Sequence, residues 1–272
     1  MKNNKVGLAI ITCDRQNFFE KCVQSIPEGC VDKLVVVNDG APYPKESYPK
    51  HINEVIQHTR PYQSVGISKN HAFRWLMLNE VDHLFVMEDD VFIKDPKIFE
   101  KHIELGQKTG LWHSEYHYHG PANRDENYQL KPRKIIDYGN GVKAEFAVHL
   151  VGAFCYYLKG IIKSIGVIDE HYNKSSWDHV EHTYRIIKSG LLPAMWWMPG
   201  IYEQEKYIQE QASTDQSVIR SKTTEWKQAM AEGAHWFKYK HGCFPTEVPD
   251  TPETEVLKRL KEIKQKYARK VL

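Results

Sequence analysis

The sequence predicts an α/β fold: a Rossmann-like, mainly parallel β-sheet with helices on both faces, followed by a C-terminal helical extension. Over residues 1–95, short apolar runs alternate with segments of helical periodicity, as in parallel strands joined by crossover helices. Polar residues follow several of these runs, where strands of such a sheet reach its ligand-binding edge. The chain has 272 residues, 41% of them hydrophobic, which suffices for one large domain or two small ones.

Four strands and two helices are predicted in the first part of the chain. The strands are short apolar runs, and the helices carry apolar residues at helical spacing. Pro27 and Gly29 end the first helix, and Asn38-Asp39-Gly40 is a turn signal after the second strand. The predicted strands are Lys5–Thr12, Leu34–Val37, Val55–His58 and His83–Met87, and the predicted helices are Asn17–Ile26 and Ser64–Asn79.

The second part of the chain is less regular. Trp112–Tyr138 is rich in His, Tyr, Asn and charge, which predicts long loops or an inserted hairpin, and Ala147–Leu158 is apolar and strand-like. Helices are predicted at Trp177–Ser189, Thr223–Tyr239 and Val256–Leu272, with a linker at Pro245–Pro252. We divide the chain into a domain over residues 1–215, with halves at about 1–95 and 96–215, and the extension over 216–272.

Composition narrows the class of protein. The formal net charge of +2 argues against a strongly electrostatic partner for the whole surface, so a nucleic-acid partner is not favoured. Five cysteines without C-x-x-C spacing fit free thiols in a reducing cytoplasm. The apolar run Val6–Ile11 is too short for a secretory signal, and no later run approaches the length of a membrane span. A cytoplasmic protein is predicted.

The acidic run Glu88-Asp89-Asp90 is the strongest functional signal. It ends an apolar strand-like run and is followed by Val91-Phe92-Ile93. Burying carboxylates without a partner is costly, so this pattern favours a cation at the end of the strand. Hard divalent cations such as Mg²⁺ or Mn²⁺ prefer oxygen ligands and often share them with substrate phosphates. A solvated acidic turn is the simpler alternative.

Six segments, in the expected order, resemble motifs of family 2-like glycosyltransferases of the GT-A fold, over about residues 5–200. Their family patterns are I-T-x-x-R, V-V-D-D-G-S, G-x-x-x-A-R-N, a D-x-D-type motif, G-x-F-D-E and W-x-x-E-D-V-E-x-x-x-R. The matching segments are Ile10–Arg15, Val35–Ala41, Gly66–Asn70, Glu88–Asp90, Gly166–Glu170 and Trp177–Arg185. Each motif alone is weak, and the joint order carries the resemblance.

The resemblance implies a metal-dependent transferase that moves a sugar from a nucleotide-sugar donor to a hydroxyl of a saccharide or glycolipid. The first candidate for the donor is a UDP-sugar. Asp90 would bind Mn²⁺ or Mg²⁺ directly, while Asp89 or Glu88 would contact ribose or an outer-shell water. Asp39 would accept the N3–H of uracil; a simple Asx turn is the alternative. The remaining residues implied for the nucleotide slot are Thr12, Asp14, Arg15, Lys69 and Asn70.

The same resemblance places a general base at Asp178-His179. Either His179 occupies the family's base position, or the register shifts and Asp178 acts; an aspartate base is the family's usual choice. In both cases direct displacement with inversion follows. His235 and His241 are candidates for a third metal ligand, although a histidine near aromatic residues is more often packed or exposed.

Two departures from the family pattern keep alternatives open. Asn38 replaces the first aspartate of D-D-G, and Asp178-His179 replaces Glu-Asp. A catalytically inactive sugar-binding protein is therefore one alternative. A viral-type transferase acting on modified DNA bases is another. A nucleotidyltransferase would normally carry a Gly-rich basic loop after the first strand, which is lacking at Thr12–Arg15.

Two further segments have open interpretations. His113, His117 and His119 could bind zinc or line a sugar site, but a partly exposed strand is the favoured reading. Val256–Leu272 has an apolar stripe beside many basic residues. Such a helix either packs its stripe on the protein, which is more common, or makes a peripheral contact with an anionic membrane.

Overall fold

The computed structural model describes residues 4–117, 123–127, 129–172, 177–211 and 223–271. Within them, strands and helices alternate over the first half, and helices dominate the end. The strands are β1 (Val6–Thr12), β2 (Lys33–Asn38), β3 (Glu54–Gln57), β4 (His83–Glu88), β5 (Val91–Ile93), β6 (His113–Glu115), β7 (Lys134–Asp137), β8 (Lys143–Ala147), β9 (Phe154–Leu158), β10 (Met198–Ile201) and β11 (Ile208–Glu210). The helices are α1 (Gln16–Gln24), α2 (Val65–Leu78), α3 (Lys97–Thr109), α4 (Lys159–Ile165), α5 (Asp178–Lys188), α6 (Thr223–His241) and α7 (Glu253–Val271).

A central sheet in the described chain has the order β3-β2-β1-β4-β9-β6. The first four strands run parallel, and β9 pairs antiparallel with both β4 and β6. Thr12 pairs with Asn38, and Ile11 with Glu88, so the carboxyl ends of β1, β2 and β4 lie side by side. The prediction of a mainly parallel sheet in an α/β fold is confirmed.

Strands β1 and β2 of this sheet are apolar because they lie inside it and are covered on both faces. All but the first residue of β1 are buried, as are all but the first of β2. Gly7 is needed for close packing, because a Cβ there would lie 2.7 Å from the Leu76 side chain of α2. Helix α2 begins after Ser64, whose Oγ accepts the backbone N–H of Ile67 at 3.1 Å.

Two smaller sheets extend this core. Strands β7, β8 and β10 form one antiparallel sheet, and β5 pairs antiparallel with β11 in the other. The second pairing leads directly to Gln211, whose backbone N–H donates to the Asp90 carbonyl at 2.7 Å. A segment far along the chain thus supports the loop that carries the acidic run.

The predictions for the middle of the chain need correction. His113–Glu115 is neither a loop nor a partly exposed strand; it is the buried edge strand β6 of the central sheet. Ala147–Leu158 is not one strand, because Ala147 ends β8 and Phe154 begins β9 after an intervening loop. Helix α3 was not predicted, although it buries Ile98, Phe99, His102 and Leu105 on one side.

Helix α7 packs its apolar stripe on the protein. Val256, Leu260 and Ile263 are buried, and the Tyr267 ring lies 5.0 Å from that of Trp112, just beyond α3. The stripe is therefore covered, and the predicted membrane contact through it gains no support. Among the described residues, no helix combines the length and the apolar composition needed to cross a bilayer.

Candidate active site

The candidate site lies at the carboxyl ends of β1, β2 and β4. Strand order reverses at β1, because β2 and β3 follow on one side and β4 lies on the other. Ligands of open α/β sheets bind in the crevice outside such a switch point. Thr12 ends β1, Asp39 follows β2 and the acidic run begins at the end of β4, so the structure brings these three predicted features to one edge of the sheet.

Asp89 is held inside the protein by two donors. The Thr12 hydroxyl donates to Oδ2 at 2.6 Å, and the Arg15 guanidinium donates to Oδ1. The residue is fully buried. Burial raises the pKa of Asp89 to about 7, against the opposing effect of Arg15. Both carboxylate oxygens of Asp89 therefore already accept a hydrogen bond.

Asp90 has one carboxylate oxygen left over. Arg15 donates to Oδ2 at 3.1 Å, whereas Oδ1 is buried without a hydrogen-bond partner among the described residues. The Gln211 side chain donates to the Asp89 carbonyl at 2.9 Å, which holds the loop in place. An orphaned buried carboxylate oxygen fits a hard cation such as Mg²⁺ or Mn²⁺.

The protein alone offers few ligands at this point. In the described part of the chain, no three His, Cys, Asp or Glu side chains are grouped so as to hold a metal ion. Mg²⁺ is commonly bound through one or two carboxylates plus substrate phosphates. Asp90, supported by Asp89, fits that mode, and a closed all-protein cage does not.

Asp14 and Asn38 shape the loops around the slot. Asp14 has a positive φ of 53°, and its Oδ1 accepts the Ala41 backbone N–H at 2.8 Å. Gly40 permits this approach, since a Cβ there would lie 2.3 Å from that oxygen. The Asn38 amide accepts from the Gly40 N–H and donates to the Ala41 carbonyl, both at 2.9 Å. An ionised aspartate could not make the second bond, which gives a physical reason for the departure at Asn38.

Asp39 organises the loop before α2. Its carboxylate accepts the backbone N–H groups of Gln63 and Ser64 at 3.0 and 3.1 Å. The His58 Nδ1 lies 2.6 Å from the Asp39 carboxylate, and its Nε2 lies 2.8 Å from His71 Nδ1. The two backbone partners lie more than 20 residues along the chain, and the Asx-type bond to a residue two positions on is made by Asn38, which accepts the Gly40 N–H. No motif pointed to the two histidines, since His58 follows β3 and His71 lies in α2.

Lys69 and Asn70 are neighbours in the sequence but face different partners. The Lys69 ammonium donates to Glu88 at 2.8 Å and to the Gly152 carbonyl at 2.9 Å. Burial lowers the pKa of Lys69, but Glu88 and Asp178 outweigh it, so the pKa lies above its usual range. The Asn70 amide instead bonds both backbone groups of Ile168. Asn70 thus connects α2 to the loop after α4. Its amide nitrogen and oxygen, which were expected to contact the nucleotide, are both bonded to Ile168 instead.

Asp178 and His179, the two residues predicted as alternative general bases, begin α5. The preceding Trp177 has a positive φ of 49°, which turns the chain into the helix. Asp178 is buried, its Oδ1 lies 3.5 Å from His179 Nδ1, and its Oδ2 has no hydrogen-bond partner in the part of the chain that the structure describes. Burial raises the pKa of Asp178, but His179 and Lys69 outweigh this and hold it below its usual value.

The His179 ring is placed between two acceptors. Its Nε2 lies 3.3 Å from the Leu150 carbonyl, while Nδ1 faces Asp178. Burial lowers the pKa of His179, but Asp178 outweighs it and the pKa is raised above its usual value. A ring with acceptors at both nitrogens is stabilised as imidazolium. This geometry suits His179 to holding Asp178 rather than to accepting a proton.

The loop 150–153 connects these side chains. Leu150 and Gly152 offer carbonyls to His179 and Lys69, and the Ala153 carbonyl accepts the Glu88 backbone N–H at 2.8 Å. The Val151 N–H donates to the buried Glu115 carboxylate at 2.8 Å. Sequence reasoning missed Glu115, because this segment was expected to be a loop, a hairpin or a partly exposed strand rather than a buried strand of the central sheet.

The other predicted metal ligands lie in a different environment. His241 Nε2 lies 3.1 Å from Glu181 of α5, and its ring packs on Phe237. His235 is exposed, with its ring 5.2 Å from that of Phe244. The structure does not group either histidine with Asp90.

The predicted zinc cluster is not assembled in the described residues either. His113 and His117 are buried, and His113 Nδ1 lies 2.9 Å from the Tyr156 carbonyl. His117 Nδ1 lies 3.1 Å from the Gln204 amide nitrogen. His119 lies outside the described residues.

Comparison with known proteins bears on the fold. No protein-family model and no curated protein matches the chain. Among solved structures, the chain is similar to the mannosyltransferase PcManGT from Pyrobaculum calidifontis, solved in complex with GDP-Man and Mn²⁺. The TM-score is 0.55 at 9% sequence identity, over 94% of this chain and 68% of that one. The likeness confirms the predicted glycosyltransferase fold.

Proposed function

We propose that this protein is a metal-dependent glycosyltransferase that moves a sugar from a nucleotide-sugar to an acceptor hydroxyl. One observation carries the proposal. At the switch point of a glycosyltransferase fold, two groups are linked through Glu88, Lys69 and the loop 150–153. The first is the acid pair, Asp89 and Asp90, with an orphaned oxygen on Asp90, and the second is the buried Asp178 carboxylate beside the half-buried His179 imidazole. The first suits a diphosphate–metal group, and the second suits deprotonation of a hydroxyl.

On the donor side, Asp90 Oδ1 is the proposed direct metal ligand. Asp89, fixed by Thr12 and Arg15, supports it. A divalent cation bound there would offset the negative charge that develops on the departing diphosphate. Glu88, held by Lys69, lies next to the pair and is proposed to contact the donor ribose or an outer-shell water.

The nucleotide slot is proposed to lie between the loops of Asp14 and Asp39. Asp39 would read the base edge while it holds the loop before α2. UDP is the first candidate from the sequence resemblance. GDP is the second, because PcManGT was solved with GDP-Man. Both nucleotides therefore belong in the first binding test.

On the acceptor side, Asp178 is the proposed general base. Its Oδ2 is unpartnered within the described chain, and the lowered pKa keeps the carboxylate ionised near neutral pH. His179 orients Asp178 and balances its charge, because both ring nitrogens face acceptors. A base of this kind accepts the proton of the attacking hydroxyl, so direct displacement with inversion follows. A saccharide or glycolipid hydroxyl is the proposed acceptor.

A ligand screen tests the proposal first. Thermal unfolding is measured with UDP-, GDP-, CMP- and dTDP-sugars, with and without Mn²⁺, since ligands that bind the native state raise its stability. We expect a shift that needs both one nucleotide class and Mn²⁺. Release of the nucleoside diphosphate from the stabilising donor is then assayed. Absence of any shift and of any release would contradict the proposal, and shift without release would favour an inactive sugar-binding protein.

A further inference from the structure

The positively charged side chain of Arg15 contacts the two carboxylates of the proposed metal site. Its guanidinium reaches both carboxylates of the acid pair, with one nitrogen on Asp89 and the other 3.1 Å from Asp90 Oδ2. The three side chains are nearly buried, with exposed fractions of 15% for Arg15, 0% for Asp89 and 8% for Asp90. An ion pair this enclosed is poorly screened by solvent and salt.

The position of Arg15 is set by the fold. It is the residue just before α1, in the short turn that follows β1. Its backbone N–H donates to the Tyr43 hydroxyl at 2.9 Å, and its guanidinium lies 5.8 Å from the Phe18 ring centre. A planar, permanently charged guanidinium carries several N–H donors and can contact two adjacent carboxylates at once. The contact is therefore built into the strand–helix turn.

The side chains of this site carry one negative charge too few to balance the two positive charges of a divalent cation. Two carboxylates and one guanidinium carry a net charge of about −1 at neutral pH if Asp89 is ionised. A metal ion at Asp90 Oδ1 would also face the guanidinium across the same carboxylate. The described residues supply no third acidic or histidine ligand to compensate.

We infer that Arg15 is a built-in counter-ion that makes metal binding depend on the nucleotide. The chain alone binds a divalent cation weakly, because Arg15 neutralises half of the acid pair. A nucleoside diphosphate brings the missing negative charge and phosphate oxygens, so cation and nucleotide bind together. The inference rests on the proposed function in taking the acid pair as a metal site, and it adds a reason why the metal site is incomplete before the donor arrives.

Direct Mn²⁺ titration, followed by the electron paramagnetic resonance signal of the free ion, tests this without any transfer reaction. For Arg15→Gln we expect Mn²⁺ to bind in the absence of nucleotide at least about tenfold more tightly than to the wild type, since a repelling charge is removed. Arg15→Lys keeps the charge and should stay near the wild type. The matched control is Arg74→Gln, which removes a guanidinium of α2 that pairs with Glu170. It should leave the Mn²⁺ affinity unchanged.

The nucleotide provides the second measurement. UDP or GDP should increase the Mn²⁺ affinity of the wild type, and the increase should be smaller in Arg15→Gln. Equal or weaker Mn²⁺ binding by folded Arg15→Gln would overturn the inference. If that variant does not fold, tight Mn²⁺ binding by the wild type without nucleotide would overturn it, and Mn²⁺ binding that needs nucleotide would support it. Failure of both nucleotides to bind would count against the proposed function, while the effect of Arg15→Gln on Mn²⁺ alone still decides the role of Arg15.

Discussion

The donor and acceptor sides of the site both bury carboxylates, but they balance the charge differently. On the donor side, one guanidinium bridges Asp89 and Asp90 and leaves an oxygen of Asp90 unpartnered among the described residues. On the acceptor side, Lys69 is bound to Glu88 and Gly152, and Asp178 is paired with its own neighbour His179. The donor side is thus suited to receive a cation, and the acceptor side to receive a proton.

Among the variants that separate the two sides, removal of the proposed base should have the largest effect. Asp178→Asn keeps the shape of the side chain but cannot take the proton, so we expect transfer to fall by about 10²–10⁴-fold. Nucleotide and Mn²⁺ affinity should be unchanged. Glu80→Gln, an exposed carboxylate near Lys5, is the matched control. Full turnover in Asp178→Asn would assign the base elsewhere, with His179 the next residue to replace.

On the donor side, the two aspartates should separate by phenotype. Asp90→Asn removes the proposed ligand, and we expect about a 10²-fold or greater loss of Mn²⁺-stimulated transfer, in line with several kcal/mol of charge stabilisation. Asp89→Asn disturbs a buried carboxylate that accepts hydrogen bonds from two side chains, so it should mainly lower the unfolding temperature. Steady-state kinetics and thermal unfolding of both variants distinguish the roles. The reverse pattern would exchange them.

The loop 150–153 offers a more subtle change. In Gly152→Ala the new Cβ would lie 2.8 Å from the Lys69 ammonium and 3.2 Å from the His179 ring, so both must shift. We expect about a tenfold loss in kcat from misplacement of Asp178 and His179. Displacement of Lys69 should also weaken donor binding through Glu88, to a smaller extent. Gly160→Ala in α4 meets no atom within 4 Å and is the control. Equal kcat values for the two variants would contradict a positioning role for this loop.

The smallest expected effect is on pH dependence. The pKa of His179 is raised above its ordinary value of 6.5, so the ring stays charged at pH 6.5 and somewhat above. The charge is lost as the pH rises through the pKa of the folded state. The rate should therefore fall on the alkaline side, and that limb should be absent in His179→Gln. Rate profiles of both proteins between pH 5 and about 9 measure this. An unchanged alkaline limb in the variant would remove His179 from the account.

The same contrast explains how far the sequence could predict the molecule. The strands β1, β2 and β4 and helix α2 are local, strongly apolar patterns, and each was predicted within a few residues. The acidic run and the turn residues follow those strands, so their grouping at one edge could be predicted from the fold alone. The donor side is therefore largely readable from the sequence.

The acceptor side, and the contacts that hold Asp89 and Asp90 in place on the donor side, depend on contacts between distant segments. Glu115 comes from an edge strand whose buried His, Ser and Glu residues gave no apolar pattern, and Gln211 reaches Asp89 through the pairing of β11 with β5. The bridge from Arg15 to two carboxylates also joins residues far apart in the chain. Periodicity carries no information about such pairings, because they are set by tertiary packing.

The central claim is best tested by direct assay of nucleoside diphosphate release from UDP- and GDP-sugars, with Mn²⁺ and with chelator, for the wild type and Asp90→Asn. The account predicts release from at least one donor that requires Mn²⁺ and is lost in Asp90→Asn. Release that is equally fast in chelator, or that persists in Asp90→Asn, would contradict a metal-dependent donor site at the acid pair.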